Sequence, residues 1–133
     1  MRREEGKKGS RKVGMEVRRL SDCRQFIAGD GSIVREFLHP EKESLAFRYG
    51  LAHATVPVGH KTAPHRLRSS EVYYVLAGQG CMHIEGATYD VGPDCTVYIP
   101  PTATQWIENT GTVDLKFLCI VDPAWQKEDE SIP

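Results

Sequence analysis

No apolar run in this chain approaches the roughly 20 residues that a membrane span requires. The basic N-terminus lacks the apolar core of a secretory signal. Cys23, Cys81, Cys95 and Cys119 are scattered, with no Cys-x-x-Cys pair. That excludes a zinc knuckle and predicts reduced, partly buried thiols in a cytoplasmic protein. A formal net charge of -1 gives no electrostatic reason to expect nucleic acid or an anionic membrane as partner. The Ser-His-Asp order, a phosphate-cradling glycine loop and a His-Glu-x-x-His helix are all missing, which removes three enzyme classes. Helical periodicity is weak throughout; only Val17 to Phe26 has room for a turn or two.

The 133 residues suffice for one domain and one modest core. Hydrophobic content of 40% and charged content of 26% are ordinary for a globular chain. Charge is unevenly spread. Arg2, Arg3, Lys7, Lys8, Arg11 and Lys12 stand against Glu4 and Glu5, so residues 1–14 carry about +4 and the rest about -5. This leader has too few apolar residues to offset its ordering entropy and is read as disordered. Residues 15–125 then form the folded domain, and the acidic segment 126–133 is expected to be solvated.

Short strand signals dominate the middle of the chain. They run over Ser32–His39, Leu45–Val56, Glu71–Ala77, Cys81–Glu85, Thr88–Val91, Cys95–Ile99, Thr104–Glu108 and Val113–Val121. Alternation places Leu45, Phe47, Tyr49, Leu51 and His53 on one face, and Val113, Leu115, Phe117, Cys119 and Val121 on another. Turn signals every 8–12 residues predict an all-β sandwich or barrel. Gly59, Gly78 and Gly80 suit turns with positive φ.

Two motifs sharpen this. Gly59, His65, Glu71 and Gly78 are spaced as Gly, five residues, His-x-His, three residues, Glu, six residues, Gly, with Leu67 in place of the second His. Pro100 and Asn109 match a second pattern of Gly, five residues, Pro-x-Gly, two residues, His, three residues, Asn. There Asp94 and Thr102 replace the glycines, and Gln105 replaces the His. These motifs resemble those of the cupin superfamily, over roughly residues 45–122. The resemblance implies a single cupin-type jelly-roll barrel and a homodimer. In such dimers the N-terminal strand, here Ser32–His39 with no obvious hairpin partner in the chain, joins the other sheet. It also implies a divalent metal inside the barrel, held at the positions of His65, Leu67, Glu71 and Gln105.

With Leu67 no ligand and an amide oxygen a poor one for zinc or iron, the expected metal site is His65, Glu71 and Gln105. It would hold Zn, Fe, Ni or Mn weakly. Two missing imidazoles, at very roughly 3 kcal/mol per ligand, cost on the order of 10⁴-fold in affinity. Tyr73 shares the inward face with Glu71, so Tyr73, Leu67 and Gln105 are candidate ligand-binding residues. His53 is either a hydrogen-bonded core histidine or a further cavity group. His60 and His39 read as surface residues and His83 as an outer-face residue. Arg66 and Arg68 read as a solvated loop face or an anion-attracting pair.

The leading reading is a small-molecule-binding cupin with a weakened divalent-metal site in the barrel; the alternatives are a metal-dependent dioxygenase or isomerase, and a metal-free acid–base enzyme on a small polar or sugar substrate. In the last, His65 and Glu71 are the catalytic pair.

Overall fold

The computed structural model describes residues 17–42 and 46–132. The basic leader and Leu45 lie outside them. Eleven strands form among these residues: β1 (Gln25–Ile27), β2 (Ile33–Leu38), β3 (Gly50–Val56), β4 (Arg66–Leu67), β5 (Ser70–Ala77), β6 (Gly80–Ile84), β7 (Ala87–Val91), β8 (Thr96–Ile99), β9 (Gln105–Asn109), β10 (Leu115–Asp122) and β11 (Glu130–Ser131). A six-stranded sheet runs β1-β2-β3-β10-β5-β8, faced by a three-stranded sheet β7-β6-β9, with β11 paired to β4. Every pairing is antiparallel. Among the described residues, helix is confined to three short 3₁₀ turns, one of them at Leu20–Asp22. The expected all-β jelly-roll barrel is the architecture that forms.

Alternation explains which residues close the core. In β5, Glu71, Tyr73 and Val75 point inward; in β9, Gln105, Ile107 and Asn109 do. Met82, Ile99, Ile107, Leu115, Val56 and Val75 fill the space between the sheets. Burial of each such side chain is worth about 1.5–3 kcal/mol. Asn109 ties the end of the barrel by donating to the Val56 and Val113 carbonyls, while its Oδ1 accepts the Gly111 N–H.

Several expectations need correction. β3 begins only at Gly50, so Phe47 and Tyr49 precede it and instead pack on one another at 5.2 Å. Its cavity face carries the small residues Ala52 and Ala54, whereas His53 lines a separate depression with Arg35 and Lys116. Small side chains there leave room inside the barrel, which the apolar count of the strand could not reveal. Val113 is exposed in the turn before β10. Gly80 has no positive φ; a Cβ there would lie 2.8 Å from the Glu108 carbonyl, so close strand packing demands the glycine. The strand over Ser32–His39 has two in-chain partners, β1 and β3. The acidic segment is not a free tail, because Glu130 pairs with Leu67 and Ser131 with Arg66.

His39 is also buried, not a surface residue. Its Nδ1 accepts the Glu41 N–H at 3.1 Å, which leaves Nε2–H to donate to the Trp125 carbonyl at 2.8 Å. The histidine thereby anchors the C-terminal segment to the barrel.

The two positions where glycine was missing from the second motif both adopt positive φ: Asp94 at 68° and Thr102 at 67°. A non-glycine residue there costs about 1–2 kcal/mol, and a β-branched one is the worse case. Asp94 recovers part of that by accepting the Tyr74 hydroxyl at 2.6 Å. Thr102 is exposed and its hydroxyl reaches only the adjacent Pro101 carbonyl. Allowing for the greater unfolded-state entropy of glycine, Thr102→Gly should stabilise the fold by about 0.5–1 kcal/mol. Asp94→Gly should be near neutral. Urea unfolding of both variants checks the contrast; a destabilised Thr102→Gly would mean that its φ is not strained in solution.

Candidate functional site

A cavity of about 620 Å³ opens between the six-stranded sheet and the β4–β11 ribbon. His65, Leu67, Glu71 and Tyr73 line it, together with Asp30, Cys119 and Glu130. Gln105 is fully buried behind this wall. His53 belongs to the other side of its sheet, and its depressed pKa follows from burial and then from Lys116 and Arg35. His60 is exposed. Arg66 and Arg68 are exposed too, and neither lines the cavity.

His65 is held by its neighbours. Its backbone exchanges two hydrogen bonds with Gln105, at 3.0 and 2.9 Å. Its Nδ1 lies 2.8 Å from the Ala63 carbonyl. A carbonyl only accepts, so Nδ1 carries the proton, and Nε2 of the neutral ring is a bare lone pair. Nε2 faces Asp30 Oδ2 at 3.8 Å, beyond hydrogen-bond range, and the two would form an ion pair on protonation of Nε2.

Asp30 was not singled out in the sequence. It comes from the turn before β2, where its Oδ1 accepts both the N–H and the hydroxyl of Ser32, at 3.0 and 2.7 Å. Its carbonyl accepts the Ala63 N–H at 2.7 Å, which locks this turn to the His65 loop. Asp followed by Gly and Ser is a turn signal, but nothing in spacing along the chain connects it to His65. Glu130 likewise arrives only through the β4–β11 pairing. Its carboxyl pKa is raised, chiefly by burial; His65 opposes that rise and Asp30 adds to it.

The expected metal set of His65, Glu71 and Gln105 forms a different structure. The Gln105 amide nitrogen donates to Glu71 Oε1, and the Gln105 carbonyl oxygen accepts the Tyr73 hydroxyl at 3.0 Å. Cys119 Sγ donates to Glu71 Oε2 at 3.3 Å. Both carboxylate oxygens and the amide oxygen are therefore engaged within the protein. Leu67 fills the fourth position, buried and lining the cavity. This donor set fits a resident divalent ion poorly: Leu67 offers no ligand, the amide oxygen is a poor one, and an ion would compete with the bonds already made to Glu71 and Gln105.

Burial pushes the Glu71 carboxyl above the usual carboxylate range, and the Gln105 and Cys119 hydrogen bonds and His65 partly oppose it. Burial and the Glu71 charge push the Tyr73 phenol and the Cys119 thiol well above their ordinary values. Both therefore stay protonated and serve as donors. Elsewhere, Cys81, His83 and Glu108 bring ligand atoms within 4.8 Å of one another, which makes them the one such His/Cys/Asp/Glu group among the described residues.

The cupin domain family model matches residues 52–121, which includes the His65–Glu71 and Gln105–Asn109 segments. An uncharacterized protein of Methanocaldococcus jannaschii is 44% identical over 108 residues, covering 80% of this chain and 86% of that protein. An oxalate-binding protein of Thermotoga maritima is 30% identical over 71 residues, 53% of this chain and 59% of its own length. Among solved structures, a predicted oxalate decarboxylase of Thermotoga maritima superposes with a TM-score of 0.70 at 24% identity, covering 80% of this chain and 97% of that one. A polyketide cyclase from Streptomyces resistomycificus superposes with a TM-score of 0.70 at 22% identity, covering 80% of this chain and 78% of that one. Two facing antiparallel sheets, the two spaced motifs, and a family match over more than half of the chain agree: this chain belongs to the cupin family.

Proposed function

We propose that this cupin binds a small polar molecule in its barrel without a resident metal. The observation that carries this reading is the hydrogen-bonded set Tyr73–Gln105–Glu71–Cys119, which engages the groups a metal would need. His65 Nε2 faces the cavity with no hydrogen bond of its own. The lining holds six carboxylates, Asp30, Glu36, Glu41, Glu71, Glu128 and Glu130, against Lys42 and Lys127. Lys42 is already paired with Glu36 at 2.7 Å. Such a lining favours a neutral or cationic ligand rich in hydroxyl or amine donors, and repels a dicarboxylate.

Acid–base catalysis is the second reading, favoured by the His65–Asp30 pair. The bare Nε2 can accept a substrate proton, and Asp30 at 3.8 Å stabilises the resulting imidazolium. That is the metal-free route on a sugar-like or other polar substrate; the metal-dependent dioxygenase route lacks a fitting donor set.

Calorimetry with oxalate tests the ligand class. No heat of binding is expected at millimolar oxalate in metal-free buffer; micromolar binding would overturn the acidic-cavity argument. Metal content tests the rest. Any metal that copurifies should be unchanged by His65→Ala, and loss of one ion per chain in that variant would put a metal in the barrel. We also propose a homodimer through β1, a three-residue edge strand with exposed Phe26 and Ile27. Light scattering at micromolar concentration should give twice the 14.9 kDa chain mass; the monomer mass would refute it. Four unpaired cysteines support placement in the cytosol. No helix among the described residues is long and apolar enough to cross a membrane.

A further inference from the structure

The outer face of the three-stranded sheet carries chemistry that the barrel interior does not use. Strand alternation turns Met82 and Ile107 inward, so Cys81 and His83 on β6 share the outer face with Trp106 and Glu108 on β9. The register sets Cys81 directly across from Glu108, and His83 across from Trp106. His83 lies flat on the Trp106 indole, with centroids 3.4 Å apart and planes 5° from parallel. That stack fixes the imidazole and aims Nε2 at Glu108 Oε1, 3.0 Å away.

We propose that Cys81, His83 and Glu108 form a surface site for a zinc-type transition-metal ion, separate from the barrel cavity. The thiol sulfur, an imidazole nitrogen and a carboxylate oxygen all lie within 4.8 Å of one another. Tetrahedral zinc, with bonds of about 2.0–2.3 Å, spaces its donors about 3.3–3.8 Å apart. Small side-chain rotations on a rigid ladder close the difference. One soft and one borderline donor beside a carboxylate select zinc or cobalt over calcium or magnesium. All three residues are half-buried, so the fourth position opens to solvent. Two charged neighbours adjust the affinity. Asp90 on β7 is the cross-strand partner of Cys81 and adds negative charge on the same face. Lys61 lies across from Glu108, with Nζ 5.1 Å from the Trp106 ring, and opposes the ion.

Cobalt titration reads the site directly, because a thiolate–cobalt bond produces a near-ultraviolet charge-transfer band. One equivalent of Co²⁺ should develop that band, and Zn²⁺ should abolish it. Cys81→Ser should remove the band. His83→Gln and Glu108→Gln should each weaken Co²⁺ binding about 100-fold, at one ligand lost from a zinc-type site. His65→Ala should leave it unchanged. Circular dichroism of each variant controls for folding, and Glu108→Gln, the mildest change, serves if Cys81→Ser unfolds. The proposal fails if no band forms at millimolar Co²⁺, if it survives in Cys81→Ser, or if His65→Ala removes it.

Discussion

The double variant Leu67→His/Gln105→His should bind Ni²⁺ or Zn²⁺ in the barrel on the order of 10⁴-fold more tightly than the wild-type barrel, from two added imidazoles. Two features would have cancelled this gain, and neither holds. Leu67 is not turned outward: it is 5% exposed and lines the cavity beside His65. His53 does not complete the site, because it lies on the opposite face of β3 with Arg35 and Lys116. Position 105 is well aimed, since its present side chain already reaches the Glu71 carboxylate and its backbone pairs with His65. The substitution also removes the Gln105 bonds to Glu71 and Tyr73, freeing Glu71 to ligate. Repacking where the Leu side chain leaves costs about 1–3 kcal/mol of stability, which lowers the melting temperature without cancelling the affinity gain. Calorimetric titration in a Cys81→Ser background isolates the barrel from the outer face. An affinity within tenfold of wild type would show that these positions do not converge on an ion.

Gln105→Met should destabilise the protein by about 3 kcal/mol at neutral pH. Volume is nearly conserved, so the loss comes from polar groups. Gln105 is 1% exposed and is the partner of both Glu71 Oε1 and the Tyr73 hydroxyl. Removing it leaves a buried carboxylate and a buried phenol each short of a bond. The effect should also depend on pH, with a definite sign. Burial already raises the folded-state pKa of Glu71, and the Gln105 bond opposes that rise. Without the bond, the folded pKa climbs further. A folded pKa above the unfolded one means the native state binds more protons across the interval between them. Stability therefore falls as pH rises through the folded pKa and is regained as pH drops toward the ordinary carboxylate range. The variant's deficit should shrink when unfolding is measured at pH 5 instead of pH 8. A deficit below 1 kcal/mol at both values would show that cavity water satisfies Glu71 as well as the amide does.

The barrel and much of its inward face are legible in the sequence. Periodicity of two in Glu71–Tyr73–Val75 and Gln105–Ile107–Asn109 is a local property, and one buried face per strand follows from it. The positive φ of Asp94 and Thr102 could be traced to motif positions that otherwise carry glycine, because turn geometry is also local. On β3, whose cavity side is lined by alanine, alternation sorts residues into two faces without saying which one meets the cavity. Ala52 and Ala54 carry little hydrophobic signal, so the pattern alone does not separate their side from that of His53.

What the sequence by itself determined was the fold, the family and the inward position of His65, Leu67, Glu71, Tyr73 and Gln105, all of which rest on spacing within one or two strands. Tertiary structure alone decided the chemistry around them. Asp30 and Glu130 reach His65 from opposite ends of the chain, through a turn bond to Ala63 and a two-residue ribbon on Leu67. Cys119 reaches Glu71 from a neighbouring strand 48 positions away. Whether Gln105 offers its oxygen to a metal or to Tyr73 depends on which donors converge on it. That convergence is set by the register between sheets, because side chains far apart in sequence meet only once both sheets close over a shared core.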